Sequence, residues 1–207
     1  MQQSVSGDPE NLTRYSLCCS NGTDIKISRL PIYNNSDLNC VSFIPEKDYG
    51  HPPVVFIAGF ASVIENFREL LIALTEKYKV YYVETRDKES SILPKGASFT
   101  VNVVASDIYG AIEALNMEEG KYILLAFSLG STAAAEAFRS FPVRRPKLLV
   151  LAAPNGRFRI PPIGIFIARY LSWSYYAIRP LLKLYIRTFH VNTKEDYEMY
   201  LKYIEKQ

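Results

Sequence analysis

Between Glu136 and Glu195 the chain has no acidic residue at all. A carboxylate that must orient a base or ligate a metal cannot come from that stretch. Histidine is nearly as scarce: His51 and His190 are the only two, so imidazole chemistry has two candidates. Cysteine is limited to Cys18, Cys19 and Cys40. Adjacent cysteines rarely pair with each other, and no Cys/His spacing suits a metal, so neither a disulfide framework nor a metal site is expected. Reduced thiols in a cytoplasmic protein are the simplest reading. Met1 to Asn11 is polar and acidic, not basic and then apolar, so no secretory leader is expected. The longest apolar run near the C-terminus is cut by Arg169 and Arg179 and is too short to span a bilayer. Internal repeats and low-complexity linkers are absent as well.

What is present suits one globular domain. At 207 residues and 48% hydrophobic the chain can bury a substantial core. The net charge of +3 is unremarkable as a total; its distribution is not. From Ala137 to Lys194 every charged residue is Lys or Arg, interleaved with aromatics such as Phe158, Trp173, Tyr176 and Tyr185. Such a segment can lie on an anionic membrane surface. It can equally cover an apolar pocket and leave its cations in water, and that reading is favoured over the membrane surface. No recognised nucleic-acid motif accompanies the basic residues, so no nucleic-acid partner is expected.

Apolar runs and helical spacings alternate along the chain. Pro52 to Phe60 reads as a strand broken at Ala58-Gly59-Phe60, and Ile64 to Tyr78 as a helix with Phe67, Leu70, Leu71 and Leu74 on one face. Val80 to Arg86 is a strand, Thr100 to Leu115 a second helix, Tyr122 to Ala126 a strand, and Lys147 to Pro154 another. Alternation of this kind predicts an α/β fold: a mostly parallel sheet with helices on both faces. Leu12–Cys19 and Ile25–Pro31, joined by Ser20-Asn-Gly, read as an N-terminal antiparallel hairpin, with Cys40–Pro45 added at that edge. The most telling stretch is Ala126-Phe127-Ser128-Leu129-Gly130, between the Tyr122 strand and the small-residue helix Ser131 to Phe138. A serine on a sharp strand-to-helix turn needs small neighbours two residues away on each side, because larger ones collide with the adjoining backbone.

On these residues the chain resembles the α/β-hydrolase family, from about Asp37 to Asn155. The family's His-Gly after its third strand stands here as Ala58-Gly59, followed by Phe60. Its Asp-x-Arg-Gly-x-Gly-x-Ser stretch stands as Glu84 to Ser91, and Asp107 and Leu115 fall where its pre-elbow helix often has Asp and Leu. The resemblance implies that Ser128 is the nucleophile. It implies an oxyanion hole from the Phe60 and Leu129 N–H groups, with Gly59, Ala126 and Gly130 supporting the turn. Phe127, Trp173 and Tyr176 would border the substrate pocket. A small-molecule acyl substrate is implied, with neither cofactor nor metal.

The rest of the family's machinery is harder to place. The family order is nucleophile, acid, histidine, and no acid separates Ser128 from His190. Residues 1–155 read as the hydrolase core and 156–207 as a helical cap, and no stretch reads as the last two strands of the fold. The unpaired strand 147–153 would then invite a homodimer. Three functions remain open: a serine hydrolase acting on a carboxylic ester, thioester or lipid-like acyl substrate; a non-catalytic binding or interaction protein of the same fold; and an acyltransferase.

Overall fold

The computed structural model describes residues 3–4, 9–33, 35–60 and 62–154. The expected cap at 156–207, with Trp173, Tyr176 and His190, lies outside the described residues.

Among the described residues seven strands form one mixed sheet. They are β1 (Gln3–Ser4), β2 (Asp24–Ile32), β3 (Ser36–Ile44), β4 (Val54–Ile57), β5 (Val80–Val83), β6 (Ile123–Phe127) and β7 (Leu148–Ala152), and they lie side by side in the order β1-β2-β3-β5-β4-β6-β7. The contiguous set β5-β4-β6-β7 is parallel, while β1, β2 and β3 join it antiparallel. Parallel strands are covered on both faces and so read as unbroken apolar runs. In β4, Val55 and Ile57 enter one buried cluster while Val54 and Phe56 enter the other.

Four helices supply the cover: α1 (Pro9–Ser16), α2 (Arg68–Thr75), α3 (Val101–Ala114) and α4 (Leu129–Ser140). Val104, Ile108 and Ile112 of α3 and Ala133, Ala134 and Ala137 of α4 fill the first cluster. Tyr15 of α1 and Leu71 of α2 enter the second. The helix expected from Ile64 begins as a 3₁₀ turn over Ile64–Phe67 and continues as α2. That register buries Ile64 and Leu71 and turns Leu70 outward.

The N-terminal hairpin forms, but from other residues. Leu12–Cys19 is not a strand: it lies in α1 and the turn after it. Burial there follows a spacing of three, at Tyr15 and Cys18, rather than the alternation of a strand. The hairpin is β2 with β3, in a register that runs from Asp24 opposite Ile44 to Ile32 opposite Ser36. Asn35 takes the left-handed conformation in the turn, at φ 52°, which asparagine tolerates better than most residues.

At the far side β7 pairs with β6 alone among the described residues, and Leu148, Leu149 and Val150 are exposed there.

Candidate active site

Strand β6 ends at Phe127 and α4 begins at Leu129, so Ser128 is the entire connection. Its backbone sits at φ 51°, ψ −121°, a region that residues with a Cβ avoid. Two interactions hold it there. The Ser128 N–H donates to the Ala152 carbonyl at the end of β7, at 2.9 Å. The Ser131 hydroxyl, fully buried, lies 2.6 Å from the Ala126 carbonyl and 2.9 Å from that of Ala152. Ser131 went unnoticed in the sequence, where it passes for a helical small residue. It ties the first turn of α4 to the ends of β6 and β7.

The two glycines of the pattern are set by contact. A Cβ on Gly59 would stand 3.0 Å from Ser128 Cβ and 3.6 Å from its Oγ. A Cβ on Gly130 would stand 2.5 Å from the Ala58 carbonyl oxygen. Ala126 is fully buried, so its methyl is accommodated. Ala58, at the position where the resemblance would have histidine, is also fully buried.

Phe60, Leu129 and Gly130 border one shallow cleft, together with Thr85, Asp87 and Phe99; it encloses ≈ 270 Å³, counting space open to solvent. Among the described residues neither the Phe60 nor the Leu129 N–H has an acceptor. Ser128 is half-buried and lies beside the residues that border this cleft rather than among them. Phe127 does not border the cleft. Its ring packs against Phe56 at 5.3 Å and Phe67 at 5.0 Å, on the α2 side of the sheet.

The segment after β5 builds the far wall. Arg86 and Asp107 form a bidentate pair with both N···O distances 2.5 Å, and Arg86 Nη1 donates to the Ser98 carbonyl at 2.6 Å. Both side chains are nearly inaccessible. Desolvation is the largest influence on Asp107 and raises its pKa from the usual carboxylate value, although Arg86 opposes it. Glu84 is buried and accepts from Asn39 Nδ2 at 3.1 Å and from the Ser90 hydroxyl.

No base reaches Ser128 among the described residues. His51 precedes β4, whereas Ser128 follows the parallel β6, so they lie at opposite ends of the sheet. At about 3.3 Å per residue, the four residues of β4 alone separate them by roughly 13 Å. The His51 ring stacks between Tyr49 and Tyr78, at 6.2 and 4.8 Å. Glu136 is engaged on the outside of α4 by Arg139 and Ser140, whose hydrogen bonds lower its pKa to about 2. Also among the described residues, no group of His, Cys, Asp and Glu could hold a metal ion. No helix there is long and apolar enough to cross a membrane.

The backbone of Ser128 yields a direct expectation. Its side chain makes no capping hydrogen bond, so Ser128→Gly removes a strained Cβ and no polar contact. Relief of strain of roughly 1–3 kcal/mol outweighs the roughly 0.5–1 kcal/mol backbone-entropy cost of glycine. Urea unfolding is expected to show Ser128→Gly more stable than wild type by about 1 kcal/mol, with Ser128→Ala unchanged. A glycine variant less stable than wild type would mean that the turn is unstrained.

No family model matches the chain, and no curated protein sequence matches it. Solved structures do. A hydrolase from Pseudomonas aeruginosa PA01 is similar with a TM-score of 0.60 and 17% identity, over 83% of this chain and 64% of that one. An α/β-hydrolase fold protein from Burkholderia ambifaria is similar with a TM-score of 0.59 and 16% identity, over 76% of this chain and 57% of that one. A membrane phospholipase A described as a bacterial virulence factor is similar with a TM-score of 0.57 and 19% identity, over 77% of this chain and 48% of that one. The matched part of this chain therefore spans about half to two thirds of their lengths. These likenesses establish the fold: the chain carries the α/β-hydrolase fold.

Proposed function

We propose that the chain is the core of a serine hydrolase acting on a carboxylic ester, thioester or lipid-like acyl substrate, with Ser128 as nucleophile. The single observation that carries this reading is the Ser128 backbone, kept at φ 51° between strand and helix. Strain of this kind persists where a side chain has to be presented. In the reaction Ser128 Oγ bonds to the acyl carbon, the carbonyl π pair moves onto oxygen, and the hydroxyl proton passes to a base. The Phe60 and Leu129 N–H groups receive the oxyanion. Its collapse expels the alkoxide or thiolate, which takes up a proton. Water then repeats the sequence on the acyl-enzyme and frees the acid. The base and its orienting acid come from outside the described residues.

The test is a fluorophosphonate probe with the adduct located by mass spectrometry. Slow labelling confined to Ser128, and lost in Ser128→Ala, is expected. A labelling rate that levels off near neutral pH would reveal a histidine base, which His190→Ala would assign. No labelling on prolonged incubation would favour the second reading, a non-catalytic binding protein. Ala58 in place of histidine, and His51 at the wrong end of the sheet, are the observations that favour it.

A further inference from the structure

The Gly59 carbonyl and the Phe60 N–H belong to one peptide unit. A trans peptide is planar, and its C=O and N–H point in opposite directions. Whatever holds the Gly59 oxygen therefore aims the Phe60 hydrogen. Three donors hold it: the Ser62 hydroxyl at 2.6 Å, the Lys88 ammonium at 3.2 Å and the Ser62 N–H at 3.4 Å. The Ser62 contacts are internal to the loop and move with it. Lys88 is different. It comes from the segment after β5, which the Arg86–Asp107 pair anchors to α3.

Lys88 is itself constrained. Its side chain is 14% exposed and pairs with Asp87, which is 9% exposed. Thr85 Oγ1 donates to Asp87 Oδ1 at 2.6 Å and lies 3.3 Å from Lys88 Nζ. Thr85 and Asp87 also border the cleft that Phe60 and Leu129 border.

We infer that Lys88 is a positioning residue: by gripping the Gly59 carbonyl from across the cleft wall it aims the Phe60 N–H at the oxygen of a bound acyl group. The inference rests on the proposed role of Ser128. A cation on the carbonyl end also polarises the peptide, and so strengthens its N–H as a donor. The positions around Lys88 are those at which this chain departs from its resemblance, with Asp87 and Glu89 standing where glycines would be. The departure supplies a tether.

Two measurements separate the clamp from the chemistry. The first is the amide resonance of Phe60 in the uninhibited protein. In Lys88→Met it is expected to move upfield while that of Leu129 stays in place, and Lys88→Arg is expected to restore it. The second is the rate at which a fluorophosphonate modifies Ser128. Loss of a whole oxyanion donor costs about 100- to 1,000-fold; misdirecting one is expected to cost roughly tenfold, with at least half the rate recovered in Lys88→Arg. Lys88→Gln, milder in size and polarity, serves if the Met variant does not fold, and an intermediate loss is expected. An unmoved Phe60 resonance overturns the inference. So does a Lys88 variant labelled at the wild-type rate. If the wild type is not labelled at all, the proposed role of Ser128 fails, and with it the catalytic purpose of the clamp; the Phe60 resonance still decides whether the clamp exists.

Discussion

Gly130→Ala is expected to lower the stability of the folded chain by about 3 kcal/mol, at the upper end of the usual cost of overpacking. The added methyl would lie 2.5 Å from the Ala58 carbonyl oxygen, 3.0 Å from that of Ile57 and 3.1 Å from Ile57 Cγ2. The two nearest atoms are backbone at the end of β4, and β4 is hydrogen-bonded to β5 on one side and β6 on the other. No side chain can rotate away to make room. Either α4 lifts from the sheet or the Ser128 turn opens, and both displace the Leu129 N–H. Alanine is the better helix former by about 1 kcal/mol, so the measured loss is net of that gain. Gly110→Ala in α3 is the control. Its methyl would meet Ile32 Cβ at 3.1 Å and Cγ2 at 3.2 Å, tight contacts but 0.6 Å longer than the shortest at Gly130. In urea unfolding Gly130→Ala should fall well below wild type and clearly below Gly110→Ala. A loss at Gly130 under about 1 kcal/mol would show that α4 does not pack this closely, since surface-type changes stay within such limits.

This contact also explains how much of the site could be read before the fold was known. The small residues at 126 and 130 mark the turn because the clash they avoid is local in sequence. The parallel strands are legible for a similar reason. Val54–Ile57, Val80–Val83 and Ile123–Phe127 pack against a cluster on each face of the sheet, so composition alone reveals them. The N-terminal region is not legible in this way: a short run such as Leu12–Cys19 suits strand or helix, and only tertiary burial, at Tyr15 and Cys18, selects the helix. Lys88 could not be found at all. Its partner Gly59 lies 29 residues earlier and meets it only because β5 lies beside β4 in the sheet. Ser131 was invisible for another reason: a serine one turn into a helix carries no sign that its hydroxyl turns back to the strand it has just left.

The second large effect concerns the wall that carries Lys88. Removing either member of the Arg86–Asp107 pair is expected to cost about 3–5 kcal/mol near neutral pH, because it strands a buried charge. The two losses should differ in their dependence on pH. In Asp107→Ala the Arg86 guanidinium keeps one partner, the Ser98 carbonyl, and cannot shed its proton; the stranded charge is present at every pH, and the penalty shrinks only by the small pH-dependent stability that the raised Asp107 pKa gives the wild type. In Arg86→Met the stranded group is Asp107, which can take up a proton. Burial already raises its pKa while Arg86 is present, and without Arg86 the rise is larger. An acid whose folded pKa exceeds its unfolded value of about 3.9 favours folding below that value, and the benefit is lost as pH rises through the folded pKa. The Arg86→Met penalty is therefore small near pH 4 and grows to its full size by neutrality. Unfolding free energies of both variants across this range decide the matter. An Arg86→Met penalty that does not grow between pH 4 and neutrality would mean that Asp107 stays ionised without its partner. The double replacement Arg86→Met with Asp107→Leu strands no charge and is expected to recover most of the stability. It would not restore the grip on the Ser98 carbonyl, nor the anchorage of the segment that carries Lys88 to the Gly59 peptide. A double variant as stable as wild type but slowed at Ser128 would separate the two tasks of this pair, holding the wall together and holding it in place.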